Sequence, residues 1–337
     1  MQSYARRRII YLALGTAVSF ALPPAVSRAE ELTPFRVGIA APTVNMLPLW
    51  VANEAGLFKA HGLHVAIVNT EGGSRGLAEV GAGRLQAMVV GLSAVIDANE
   101  KTGHYRLIAS GANTMSFRFF GANGIANAAA LKGKKVGVSA FGSESDSAAT
   151  MALKQLGLTR SDVQIVEAGG TLTRLAALKS RALAATALNE PADTEATQSG
   201  LPLLADLKAD LPWIFTAIAV DRNYLAGHRQ QAREFLQSWI EGTYLALSDP
   251  ALGKRILAEQ FKGISPAALD ASYSDFRARV PRDAEPSRAG AELMLRELPG
   301  SRSSAQRRIE DYIDTSVLSD LRRSGFFDVV KQRYRIP

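Results

Sequence analysis

Cysteine is absent from the 337 residues, which excludes disulfides, thiolate metal sites, a cysteine nucleophile and a lipid-modified N-terminal cysteine. Histidine is scarce: the four are His61, His64, His104 and His228, and no pair has metal-ligand spacing. Aromatic residues make up 7% and do not interleave with basic runs. The net charge of +7 is therefore not patterned as a nucleic-acid surface. Long apolar runs are lacking as well. The one candidate, Ile9 to Val26, is broken by Pro23-Pro24, short of the roughly 20 residues a membrane span needs. No tract is of low complexity, and 47% hydrophobic with 21% charged residues suits a chain that builds a core.

What is present first is a targeting pattern. Arg6-Arg7-Arg8 precedes the apolar stretch, and Ser27-Arg28-Ala29 offers small residues where a signal peptidase reads. Residues 1–29 are expected to be a cleavable signal peptide, leaving Glu30 first and sending the protein to the periplasm. The paired arginines before Ile9-Ile10 also fit a twin-arginine signal loosely.

The remainder reads as one architectural unit used twice. RVGIAA at Arg36 matches KVGVSA at Lys135, and FKAHGL at Phe58 matches LKQLGL at Leu153. HVAIV at His64 matches DVQIV at Asp162, each followed by a glycine turn, Gly72-Gly73-Ser74 or Gly169-Gly170-Thr171. LAEVGAGRLQA at Leu77 and LAALKSRALAA at Leu175 follow. Alternating strand and helix patterns in the order β-α-β-α-β predict an α/β fold of two parallel-sheet, Rossmann-like lobes. Strand-like stretches at Thr114 to Phe120 and Ile214 to Val220 predict a two-strand hinge. The expected division is 30–120 with 216–337 for the first lobe, and 121–215 for the second. From Arg229 on, helices are expected at 232–247, 252–261, 266–278, 289–298 and 304–323.

Ligands of such sheets sit beyond the carboxyl ends of the strands. That places Thr43, Asn45, Met46, Gly73, Ser74 and Ser93 of the first repeat opposite Phe141, Gly142, Ser143, Glu144, Ser145, Thr171, Asn189 and Glu190 of the second. Helix starts and hydroxyls at Ser143, Ser145, Ser74 and Thr171 form a cradle for a polar or anionic head. Arg75, Arg118 and Arg174 are the cations nearest this cleft, and Met46, Trp50 and Phe141 a candidate apolar wall. If Glu144 and Glu190 face inward, they repel a simple dianion and favour a zwitterion or neutral heterocycle. No nucleophile–base pair accompanies Ser143, so a binding protein is expected rather than an enzyme, with no metal or cofactor.

The segments PLWVANEAGLFKAHGL at Pro48, EGGSRGLAEVGAGRLQAMVVG at Glu71, LKGKKVGVSAFGSESDSAATMALKQLGL at Leu131 and GGTLTRLAALKSRALAATAL at Gly169 resemble the periplasmic solute-binding receptors of ABC importers. The likeness is to the nitrate/sulfonate/taurine group, whose domain is shared with thiamine-precursor proteins. It implies the type II periplasmic binding fold and a monomer that captures a small solute, such as a sulfonate or taurine-like compound. Delivery to a membrane permease and its ATPase is implied too. An alternative is a pyrimidine-type binder, or a related enzyme acting on a heterocycle. The enzymes of that kin carry a cysteine-rich iron site, which this chain lacks.

Overall fold

Among the described residues ten strands appear in chain order: β1 (Thr33–Ile39), β2 (Leu63–Asn69), β3 (Ala87–Val90), β4 (Tyr105–Thr114), β5 (Arg118–Gly121), β6 (Lys135–Val138), β7 (Gln164–Glu167), β8 (Ala185–Leu188), β9 (Leu203–Asp206) and β10 (Pro212–Asp221). They form two five-stranded sheets, ordered β2-β1-β3-β10-β4 and β7-β6-β8-β5-β9. The computed structural model describes residues 31–208, 211–298 and 307–336; the expected signal peptide lies outside them. Leu32–Pro337 form one compact unit.

The duplication extends to register. Val37 pairs with Ile67 and Ala87, and Val136 with Ile165 and Ala185. Side-chain space is duplicated too. A Cβ on Gly38 would lie 2.8 Å from Leu85 Cδ1, and one on Gly137 would lie 2.4 Å from Leu183 Cδ1. The central strands β3 (AMVV) and β8 (ATAL) are buried throughout, as expected of strands covered on both faces.

Each parallel trio gains antiparallel strands, so the sheets are mixed. β10 runs against β3, and β5 against β8. This exchange is reciprocal, because β5 precedes the second repeat and β10 follows it. The chain changes sheets at residues 115–117, between β4 and β5, and again between β9 and β10. Phe119 and Phe120 thus belong to the second sheet and Pro212 to Phe215 to the first, a few residues earlier than the expected boundaries.

Helices Arg229–Ser248, Pro250–Gln260, Pro266–Arg279 and Arg288–Glu297 follow the periodicity closely. The first packs on Leu47–Glu54 so tightly that a Cβ on Gly242 would sit 2.3 Å from the Pro48 carbonyl. Of the helix expected over 304–323, residues 304–306 lie outside the described residues, and from 307 on the helix starts only at Ser316. Ahead of it the backbone is drawn onto β4, where Leu107 N–H donates to the Tyr312 carbonyl (2.7 Å) and Asp314 N–H to the Leu107 carbonyl (2.9 Å). A further helix, Phe326–Tyr334, was not foreseen. Among the described residues no helix is long and apolar enough to cross a membrane.

Candidate functional site

Helices Gly73–Gly81, Leu92–Lys101, Glu144–Gln155 and Thr171–Lys179 start just beyond the carboxyl ends of β2, β3, β6 and β7. Their first turns meet between the sheets. A Cβ on Gly72 would lie 3.3 Å from that of Ala140, and one on Gly170 3.4 Å from that of Ala41. These reciprocal contacts relate the repeats as approximate two-fold mates and show the lobes touching. Four helix amino ends directed at one space make it electropositive.

Between them is a cleft of about 80 Å³. Its floor is an edge-to-face aromatic pair, Phe117 and Phe215, with centroids 5.0 Å apart. Phe117 lies on one crossing segment and Phe215 just past the other. Met46, Val89, Val90 and Ala94 add apolar wall on the first lobe, and Thr43 and Thr216 add hydroxyls.

The second-lobe wall is the polar one, built around Arg174. Its helix buries Thr171, Arg174, Leu175 and Leu178, a stripe at i, i+3, i+4 and i+7 that carries the guanidinium inward. Arg174 is 1% exposed. Its Nε donates to Thr186 Oγ1 (3.1 Å), Nη1 to the Gly169 carbonyl (2.6 Å), and Nη2 to Thr171 Oγ1 (3.3 Å) and the Ala187 carbonyl (3.1 Å). All four acceptors are neutral. Among the described residues no carboxylate pairs with it, and burial alone pulls its guanidinium down to about 10. Thr171 Oγ1 donates onward to Asn189 Oδ1 (3.0 Å).

Beside it, Ser139, Ser143 and Ser145 form a triangle of hydroxyls 2.9–3.0 Å apart. Ser143 also caps its helix by accepting from Asp146 N–H, and Ser145 Oγ accepts from Ser139 N–H. Glu144 projects the other way, into the first lobe. Its Oε1 accepts from Ser93 N–H (2.8 Å) and its Oε2 from Trp213 Nε1–H (2.6 Å). Part of its surface opens on the cleft, yet protein packs closely around the carboxyl group. That burial raises it to about 7, against the pull of both donors.

Of the residues expected to face the ligand, Thr43, Met46, Gly73, Ser143, Glu144, Ser145, Thr171 and Asn189 line this cleft. The others do not. Asn45 is buried away from it, and its Nδ2 has no hydrogen-bond partner. Ser74 is taken by the Phe141 carbonyl (3.3 Å), and Ser93 by Glu144 and Ser147. Phe141 is 52% exposed, because its short loop turns the ring outward. Gly142, with φ 73°, is pressed against Asp97. Trp50 is core, packed edge-on against Phe261. Arg75 pairs across the lobes with Glu167 (3.6 Å), and Arg118 with Asp206 (3.1 Å).

Glu190 belongs to a buried cluster at the second crossing. Lys208 Nζ lies 3.2 Å from Glu190, 2.7 Å from Asp193 and 3.5 Å from Asp275. Burial, and then Asp193, push Glu190 up to about 8. Arg279 joins both crossings, donating to Thr114 Oγ1 (2.8 Å), the Met115 carbonyl (3.1 Å) and the Lys208 carbonyl (3.4 Å). Residues that sequence reading missed are Ser139, Phe117, Phe215 and Thr216. From the sequence Arg174 stands only beside Arg75 and Arg118 as a candidate cation.

A family model described as NMT1/THI5 like matches residues 43–252, more than half of the chain. A curated protein of Brucella abortus (strain 2308) is 30% identical over 161 residues, 48% of this chain and 49% of that protein. The chain thus spans about half the length of the curated relatives it matches. Among solved structures, the periplasmic nitrate-binding protein NrtA of Synechocystis PCC 6803 superposes with a TM-score of 0.69 at 16% identity, covering 91% of this chain and 90% of that one. The alkanesulfonate-binding protein SsuA of Xanthomonas axonopodis pv. citri, bound to MOPS, gives 0.67 at 18%, covering 82% and 97%. The aliphatic sulphonate binding protein SsuA of Escherichia coli gives 0.59 at 22%, covering 74% and 85%. The fold is that of these periplasmic binding proteins.

Proposed function

Because the chain belongs to the NMT1/THI5-like family, we propose that it is the periplasmic solute receptor of an ABC importer. It captures one small organic anion or zwitterion, of the sulfonate or taurine-like class, between two closing lobes and hands it to a permease–ATPase pair. The observation that carries this reading is Arg174. A buried guanidinium with only neutral partners is costly in an empty cleft and is relieved by an incoming acid group. Thr171, Asn189, Ser143 and Ser145 complete the head-group wall, while Met46, Phe117 and Phe215 receive the apolar part. Residues 115–117 and the link from β9 to β10 serve as the hinge, with Arg279 and Lys208 as its pins.

Binding rather than turnover is the reading the cleft supports. No histidine lines it, and Ser143 Oγ is engaged by two other hydroxyls and a helix N–H. The Phe117–Phe215 pair favours one second reading, a flat heterocycle of the pyrimidine type stacked on the floor. A thermal-shift screen of alkyl and amino sulfonates, nitrate, aromatic carboxylates and pyrimidines separates the two. A solute at 100 times its Kd stabilises the folded state by about 2.7 kcal/mol. Stabilisation by sulfonates or carboxylates supports the receptor of anions. Stabilisation by pyrimidines alone selects the second reading, and no stabilisation by any class contradicts both.

A further inference from the structure

Glu144 has a position that solute capture alone does not explain. It starts a helix of the second lobe, yet its carboxyl group sits at the amino end of the first-lobe helix Leu92–Lys101, against Gly91. A Cβ on Gly91 would meet Glu144 Oε1 at 2.1 Å, so a side chain there would expel it. Ser93 N–H is one of the unpaired donors of that helix end, and Trp213 adds a second donor from the first sheet. Trp213 is itself fixed by helix Arg288–Glu297, where Gly290 abuts its backbone and the next N–H, of Ile214, donates to Met294 Sδ (3.2 Å). Ser147 Oγ donates to Ser93 Oγ (3.1 Å) alongside. The mirror-related place three residues beyond β8 is Pro191, which has no N–H, so the arrangement is one-sided.

We infer that Glu144 is a positioning residue for capture: it fills the first lobe's anion-binding helix end in the solute's stead and latches the two lobes together. This rests on the receptor reading above and sharpens it. The acid group of the solute is confined to the Arg174 side, and closure carries a contribution from the protein's own carboxyl group. Ser93 and Trp213 also line a separate groove of about 650 Å³, so the latch forms the partition between that groove and the cleft.

The latch responds to pH in a defined direction. Enclosed, the carboxyl titrates near 7; released to water it titrates near 4.5, so closing takes up a proton. Closure is therefore favoured as pH falls from 7 towards 4.5, by up to about tenfold per pH unit, and weakens as pH rises through 7. Besides Glu144, the charged groups lining the cleft and the groove are Asp97, Asp146 with its partner Arg160, Lys154, Glu297 and Arg174. None of these pairs with Glu144.

The absence of cysteine lets two spin labels be placed without background, at Lys59→Cys on the first lobe and Lys179→Cys on the second. Inter-label distances by electron–electron resonance, without added solute, are expected to lengthen between pH 5 and 8.5. Glu144→Gln, which cannot ionise and keeps one acceptor oxygen for the two donors, should lose this residue's part of the pH dependence; Glu144→Ala should be long at every pH. The difference between wild type and Glu144→Gln isolates this residue from the Glu190 cluster at the hinge. A wild-type distance that does not change with pH, or a Glu144→Gln curve that follows it, overturns the latch. Should Glu144→Ala not fold, the Glu144→Gln comparison decides alone. Adding 1-propanesulfonate at pH 5 tests the receptor reading separately, because its failure to stabilise the protein leaves the distance result standing.

Discussion

Replacing Arg174 by methionine should cost both stability and binding. Methionine is unbranched and apolar but shorter, so the change removes the charge, the donors and some buried volume. In the empty cleft the charge is a burden. At about 1.4 kcal/mol for each pH unit, the fall of the guanidinium from 12.5 to about 10 puts that burden near 3 kcal/mol. Against it stand four hydrogen bonds of Arg174, worth about 1.5–3 kcal/mol each because the donor is charged. The bonds outweigh the burden, so Arg174→Met should be less stable than wild type by about 3 kcal/mol or more in urea titrations. Binding should fall as well. An acid group loses its only buried cation and should bind at least about 100-fold more weakly, since a charge-assisted contact in a closed site is worth about 3 kcal/mol. Calorimetry with the solute found by thermal shift reads this directly. Undiminished affinity in a folded Arg174→Met protein would refute the assignment of the anion to this wall.

Lys208→Met leaves Glu190, Asp193 and Asp275 buried around a vanished cation and should cost about 3–5 kcal/mol in denaturant titrations. Gly137→Ala drives a methyl group to 2.4 Å from Leu183 and should cost about 1–3 kcal/mol, with Gly38→Ala behaving alike because Leu85 stands in the same relation. Burial raises both Glu144, to about 7, and Glu190, to about 8. Their stabilising contribution is complete below pH 4.5 and lost as pH climbs through those values, so the melting temperature should fall between pH 5 and 9. A flat or rising profile would contradict both placements. Ser143→Ala with Ser145→Ala should leave a folded protein, destabilised by about 1 kcal/mol through the lost cap, that binds the solute more weakly in calorimetry.

The repeat was legible because its signals are local. Alternation, glycine turns and helix periodicity occur twice in the same order, and they yield two parallel trios with matching register. The exchange of β5 and β10 was not legible at its edges, since a strand's sheet is decided by its partners rather than by its own residues. The same limit hid the cleft floor: Phe117 and Phe215 are near neighbours only because the two crossings run side by side. Aligning Gly73 with Gly170 was one residue off. The helices start at Gly73 and Thr171, which places Arg174 at the position of Gly76. The signal for Arg174 was nonetheless present, as a cation on the buried stripe of its helix where a core residue belongs. Ser74, Ser93 and Glu190 stood in loops of the right kind, but cross-lobe and hinge contacts consume their polar atoms. Those contacts are long-range and leave no trace in spacing.

The central claim is that an acid group binds between the lobes on the wall made by Arg174. A crystal structure of the mature protein with the strongest stabilising solute tests it most directly. The account predicts the acid group within hydrogen-bond distance of Thr171 and Asn189, against the Arg174 side of the cleft, with Glu144 still on Ser93 and Trp213. Solute density outside the cleft, or an acid group seated at the amino end of helix Leu92–Lys101 with Glu144 displaced, would contradict it.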